Sequence, residues 1–388
     1  MFENNTPNLK VLTVLSGFPI HQNSSRNQYF WHSVEATEKL GIKQIILETH
    51  AWKPFRNTRI DCTQFPVPII TARYFSIPRY YYRCFSNYLY LIRITAVIQK
   101  LVKKNKIDVI HAHGEICGLA AVTVAKQLKI PVVVTIHGVE TCLRMWKKKA
   151  KSQFIKMFHE ANRLVFVGES LLENFKSMIK KQDHCRIVHN GFRLPENNSN
   201  QVIKKENGLI RFISVSNLNE GKGVDLTLRA LAELKKQGIT NWIYKIIGTG
   251  DQKKLCEKII TEYRLEDKIV WLGECSHQVV YDHLQNSDIF CLPSYREAFG
   301  IAYIEAMAHG LLAIGVKGQG PDAFIKSGET GLLVEPQDVK SLVETIRFAI
   351  CNLNESEMIG NRGRQHVLNN FTWERHAEKL IALYREII

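Results

Sequence analysis

Short apolar runs alternate with helical stretches through the first half of the chain, stop at a polar segment, and begin again at Ile210. That alternation constrains the fold more than any other feature. Parallel strands need a crossover of a dozen or more residues between them, usually a helix, so the pattern predicts α/β domains with parallel sheets. Strands are expected over residues 11–16, 44–47, 109–112, 132–136 and 164–167, then again over 210–215, 244–247, 269–272, 289–292 and 311–315. Helices are expected over 96–104, 119–128, 224–236 and 300–309, with an amphipathic one at 373–388. Between the two series, residues 194–208 are rich in Asn, Lys and Glu and poor in apolar side chains, the composition of a linker. The expected organisation is two doubly wound domains, 1–191 and 209–370, joined by a linker at 192–208 and followed by a helix at 371–388. Ligands of such sheets bind at the carboxyl ends of strands, so a cleft between the halves is the expected site.

At 388 residues the chain exceeds one ordinary core. No run reaches the roughly 18 apolar residues of a membrane span, and the nine scattered cysteines form no Cys-x-x-Cys pair. A cytoplasmic protein with reduced thiols is the expectation. Net charge is +15, unevenly placed: residues 1–190 hold 28 Lys+Arg against 12 Asp+Glu, and the remainder is close to neutral. A basic first half suits an anionic membrane surface or an acidic small molecule. No nucleic-acid-binding motif accompanies the charge.

The densest chemistry lies at 294–310, where Glu297 falls on a loop and Glu305 inside the following apolar helix. A carboxylate there is costly to bury unless something satisfies its oxygens, and a ligand hydroxyl would do so. The helix start offers backbone N–H groups at Phe299, Gly300 and Ile301 to a phosphate. The segment could hold a phosphate between two hydroxyl-binding carboxylates, as a sugar nucleotide requires; the alternative is a helix cap and a structurally paired glutamate. The loop 216–223 carries Asn217 and Lys222 between a strand and a helix, a place for a diphosphate or a plain turn. His137 ends a strand and is followed by glycine, suiting either a ligand group or a structural histidine. His111 and His113 share one face of another strand without a matching metal set. Ile247-Gly248-Thr249-Gly250 has Lys253 where a dinucleotide fingerprint has its third glycine, and reads as a tight strand-to-helix turn. There is no Asp-x-Asp, so a divalent metal holding a sugar nucleotide through such a pair is not expected; no cofactor is expected either. Residues 73–90 mix arginines with many aromatics, consistent with a lipid or sugar interface or with an inward-packed helix.

Residues 107–113, 135–140, the Asn190-Gly191 turn, Lys222-Gly223, the paired glutamates with seven residues between them, and 328–338 together resemble a family 4 retaining glycosyltransferase of GT-B architecture. The resemblance spans nearly the whole chain. It implies two Rossmann-like domains, the first binding acceptor and the second a UDP- or GDP-linked sugar, with the last helix crossing back to the first domain. It assigns Glu297 to donor-sugar hydroxyls, Glu305 to the ribose, Phe299–Ile301 and Lys222 to the diphosphate, and His137 to the sugar near the reacting centre. Four positions depart from the family pattern. Asn217 stands where an arginine is usual, Ala298 replaces a glycine, and Gly310-Leu311-Leu312 replaces Gly-x-Pro. The loop 17–28 lacks a glycine pair and carries Ser24, Ser25 and Arg26 instead.

The function so implied is metal-independent transfer of a sugar, with retention, to a saccharide or lipid-linked saccharide on the inner membrane surface. A sugar-nucleotide epimerase or hydrolase, and a non-catalytic nucleotide-sugar-binding partner, are the alternatives.

Overall fold

The computed structural model of the chain describes residues 9–21, 27–52, 60–76, 83–138, 148–193 and 208–388, with backbone alone at 83–84 and 148–151. The loop residues Ser24, Ser25 and Arg26, and most of the expected linker, lie outside the described residues.

Two compact units result: residues 1–191 with 373–388, and residues 192–372. The first holds β1 (Lys10–Leu15), β2 (Lys43–Trp52), β3 (Ile69–Phe75), β4 (Val109–His113), β5 (Val132–Ile136), β6 (Arg163–Phe166) and β7 (Cys185–Ile187) in one sheet ordered β3-β2-β1-β4-β5-β6-β7. The second holds β8 (Ile210–Val215), β9 (Trp242–Ile247), β10 (Ile269–Gly273), β11 (Ile289–Cys291), β12 (Leu312–Val316) and β13 (Leu332–Val334), ordered β10-β9-β8-β11-β12-β13. Every pairing is parallel.

Central strands of such sheets are covered on both faces and read as continuous β-branched runs. Strand β5, Val-Val-Val-Thr-Ile, is buried at all five positions. Edge strands pair on one side only and lose that signature. In β3 only Ala72 is buried, and β7 is three half-buried residues. Neither they nor β13 were expected as strands. Arg73, Tyr74 and Phe75 therefore belong to a strand, and the helix expected over 96–104 runs from Arg83 to Asn105.

In each sheet the winding reverses beside the first strand, between β1 and β4 and between β8 and β11. At such switch points the loops leave in opposite directions and open a crevice at the carboxyl ends. The final helix, Trp373–Arg385, completes the first unit. Its Leu380, Ile381, Leu383 and Tyr384 pack with Val11, Val109, Val133 and Val165 from four strands. Each such burial contributes roughly 1.5–3 kcal/mol.

Candidate functional site

In the second unit the switch point is built by the loops after β8 and β11. The β8 loop, 216–223, precedes the helix Val224–Lys236, and the turn after β9 packs directly under it. Leu218 donates its backbone N–H to Thr249 O at 2.9 Å, and Gln252 donates to Leu218 O at 3.0 Å. Gly248 has φ +129, and a Cβ on it would lie 1.8 Å from Ser216 O. The glycines of residues 247–250 thus serve close backbone approach to the neighbouring loop, in accord with the tight turn expected there.

Lys222 and Glu297 are brought together by these loops, Nζ to Oε2 at 2.9 Å, both largely buried. The Glu297 backbone is fixed on both sides. Its N–H donates to Gln319 Oε1 at 3.2 Å, and its carbonyl accepts from Gly320 N–H at 2.9 Å. The helix Ile301–Ala308 begins just beyond, behind Gly300 in the left-handed region (φ +97) and with no side-chain cap. An uncapped helix start is an array of backbone donors with a favourable dipole for anions. Phe299 is buried against Phe324, which anchors the turn. Asn217 is exposed on the β8 loop, while the neighbouring Ser216 Oγ is buried without a partner among the described residues.

Glu305 lies on that helix and is 7% exposed. Burial pushes its carboxyl up to about 8, against the opposing hydrogen bond from Tyr281. Tyr281 and His277 are one turn apart on the helix His277–Gln285, and both face this carboxyl. The Tyr281 hydroxyl, with one proton to give, lies between this carboxyl and Arg193 O at 2.8 Å, and the His277 Nδ1 is 4.0 Å from Glu305 Oε1. Little in the sequence marks His277, Tyr281 or Gln319, because each approaches the glutamates from a distant element. An i, i+4 pair of polar aromatics on a short helix was the one visible signal.

The first unit holds a second cluster at the carboxyl ends of β4 and β5. His113 Nδ1 meets His137 Nε2 at 2.8 Å with the rings stacked, and His111 lies beside His113 with ring centroids 4.2 Å apart. His111 bridges Thr135 Oγ1 at 2.7 Å and the Tyr384 hydroxyl at 2.6 Å. Burial holds His111 and His137 down to about 3, with His113 well below its ordinary value. His137 is thus a neutral imidazole. Its Nε2 is engaged by His113, and its Nδ1 is buried without a partner among the described residues. His113 meets His137 only because β4 and β5 pair, so its part in the cluster left no local mark in the sequence. Among the described residues no group of three or more His, Cys, Asp or Glu is placed to hold a metal.

Taken together, the second unit offers a cation paired with a carboxylate before an uncapped helix start, with a second, buried carboxyl on that helix, and the first offers a neutral histidine at its strand ends. Two doubly wound units of this kind define a protein of the GT-B fold. Residues 27–194 match the model for Glycosyltransferase Family 4, and residues 195–366 match that for glycosyl transferases group 1. The chain belongs to the glycosyltransferases that join these two domains. It is 25% identical over 322 residues to N-acetyl-alpha-D-glucosaminyl L-malate synthase of Bacillus anthracis, covering 79% of this chain and 82% of that one. It is also 25% identical over 306 residues to the putative colanic acid biosynthesis glycosyltransferase WcaL of Salmonella typhimurium, covering 76% and 74%. Among solved structures, Anabaena HepE in complex with UDP-glucose shares the fold at a TM-score of 0.75 and 14% identity, over 98% of this chain and 100% of that one.

Proposed function

We propose that the chain transfers a sugar from a nucleoside-diphosphate sugar to an acceptor hydroxyl, with retention at the anomeric carbon and without a metal. The acceptor is a saccharide or lipid-linked saccharide in polysaccharide synthesis, at the cytoplasmic face of a membrane. The observation that carries this reading is the Lys222–Glu297 pair at the uncapped start of the helix that holds Glu305. WcaL, by its name, acts in colanic acid synthesis, and HepE binds UDP-glucose; both support the substrate class.

In this assignment residues 209–370 bind the donor and residues 1–191 the acceptor. Negative charge develops on the leaving diphosphate as the glycosidic bond breaks. Lys222 and the backbone N–H groups of Phe299, Gly300 and Ile301 stabilise it, with Asn217 on the same loop. Glu297 takes hydroxyls of the donor sugar and Glu305 those of the ribose. His137, held by His113, acts at the sugar beside the reacting centre, as a hydrogen-bonding group in its neutral form. Positioning and charge stabilisation then account for the rate, with no covalent intermediate.

The test is thermal stability against UDP-, GDP-, ADP- and CMP-sugars, for the chain and for Glu305→Gln. A donor at a hundred times its Kd stabilises by about 2.7 kcal/mol. One nucleotide class is expected to shift the melting point, with the shift reduced in the variant. Glu297→Gln is expected to lose turnover, and product NMR to show the donor's anomeric configuration. Donor breakdown at the same rate without acceptor would instead favour the hydrolase alternative. No shift with any nucleotide sugar would favour the non-catalytic one.

A further inference from the structure

Among the described residues, the exposed aromatic side chains are confined to one region of the first unit. They are Trp52 and Phe75 at 47% and 54% exposure, and Phe85 and Tyr88 at 49% and 59%. Trp52 and Phe75 end β2 and β3, are register partners, and stack with centroids 6.2 Å apart. Phe85 and Tyr88 lie in the first turns of the helix Arg83–Asn105, which follows β3 and packs against it.

That helix has two unlike faces. Ser86, Tyr90, Ile94, Ile98 and Leu101 are buried, and Tyr90 meets Tyr74 of β3 edge-to-face at 4.8 Å. The opposite face carries Phe85, Tyr88 and Ile92 at i, i+3 and i+7, with Ile92 54% exposed. This spacing is one continuous apolar stripe about 10 Å long. Further along the helix the exposed positions are cationic: Lys103 continues the line of the stripe, and Arg93, Lys100 and Lys104 flank it, all exposed. A solvent-facing helix surface is normally polar, so a stripe of this kind marks a surface made for contact.

We propose that the outer face of the helix Arg83–Asn105, together with Trp52 and Phe75, docks on an anionic lipid bilayer. Aromatic side chains suit the headgroup level, where one end of a ring is apolar and the other wet. Lysines beside them meet anionic headgroups while their stems lie along the apolar boundary. Charge decides between a bilayer and a second copy of the chain. A second copy would bring the same four cations face to face within a half that carries 28 Lys+Arg against 12 Asp+Glu. An anionic bilayer supplies the opposite charge. No helix among the described residues is long and apolar enough to cross a membrane, so the contact is interfacial. The inference gives the membrane of the proposed acceptor a docking face and rests on that reading only for its purpose; lipid binding itself requires no turnover.

The test is flotation of the full chain with vesicles of phosphatidylcholine alone and of phosphatidylcholine mixed with phosphatidylglycerol. Two variants accompany it: Phe85→Ser/Tyr88→Ser/Ile92→Ser, and Lys100→Gln/Lys103→Gln/Lys104→Gln. All the substituted side chains are exposed, so unchanged melting curves are expected. The chain should float with the anionic vesicles and not the neutral ones. The apolar variant should lose about tenfold or more in partitioning, and the lysine variant should lose the dependence on phosphatidylglycerol. Failure of the unaltered chain to bind anionic vesicles overturns the proposal, as does equal binding by both variants. So does a concentration-dependent dimer that the apolar variant dissociates, which would make the occupant a second copy. None of these outcomes touches the sugar-transfer reading, which is scored on nucleotide sugars without lipid.

Discussion

Glu305 shows how far the surroundings of one side chain set its chemistry. In water its carboxyl would ionise near 4.5, but burial moves it to about 8. The folded chain therefore holds a proton that the unfolded chain releases above 4.5, and the favourable effect on stability drains away as pH rises from there to about 8. Glu305→Gln keeps the shape and removes the titration. Relative to this variant, the melting point of the unaltered chain is expected to fall progressively between about pH 4.5 and about pH 8 and to level off above. A constant difference across that range would show that the carboxyl is already ionised. The proposed ribose hydroxyls donate best to the ionised form, so donor binding should release a proton near neutrality and tighten toward pH 8. Calorimetry in buffers of different ionisation enthalpy reads that proton directly, and uptake instead of release would count against the assignment. The identity of Glu305 as a buried helix carboxyl was visible in the apolar residues around it. Its proton was not, because the extent of its burial is set by distant elements, and the opposing Tyr281 comes from a helix about 25 residues earlier in the chain.

At the scale of elements, the donor-side crevice depends on two loops lying closer than side chains allow. Gly248→Ala places a Cβ 1.8 Å from Ser216 O in a backbone conformation that L-residues rarely adopt. The conformation alone costs about 1–3 kcal/mol, and the contact adds to it, so the β8 loop must shift. Loss of melting temperature together with weakened nucleotide-sugar binding is the expected result. An unchanged protein would mean that the loops are not held by this contact. Strand β5 was legible from sequence to the residue because its burial is written into consecutive β-branched positions, and β8, Ile-Arg-Phe-Ile-Ser-Val, because apolar residues dominate it. Strands β3, β7 and β13 escaped notice. The exposed positions of β3 and the half-buried residues of β7 leave too weak an apolar pattern in so few residues.

At the scale of the molecule, the last helix ties the chain's end to its first sheet and buries polar groups in doing so. His376 donates its Nδ1–H to His189 O (2.7 Å), which leaves Nε2 to accept from the Ser33 hydroxyl (2.8 Å), and Tyr384 meets His111. Burial depresses His376 to about 4 and His111 and His137 to about 3. These imidazoles are neutral in the fold, whereas an unfolded histidine charges near 6.5. Their contribution to stability is present above about 6.5 and is lost as pH falls toward 4. Denaturant unfolding across that range should show the first unit weakening steeply in acid. His376→Gln, which can keep both hydrogen bonds, should make the slope shallower by about 1.4 kcal/mol per pH unit. An unaltered slope would mean that His376 is already protonated in the folded chain. Glu305 acts with the opposite sign in the other unit, so the two units are expected to respond differently to pH.

The sequence by itself determined the α/β class, the restart at Ile210, the two parallel series of strands and the helix that carries Glu305 behind the Glu297 loop. These follow from local periodicity and from the cost of burying charge, both of which are properties of neighbouring residues. Only the tertiary structure decided that Lys222 pairs with Glu297, that His113 holds His137, that Tyr281 and His277 attend Glu305, and that Phe85, Tyr88 and Ile92 face solvent while Tyr90 does not. Each is a meeting of side chains from separate elements, or a choice of which helix face is covered. Strand order and packing set those, and no window of sequence contains them.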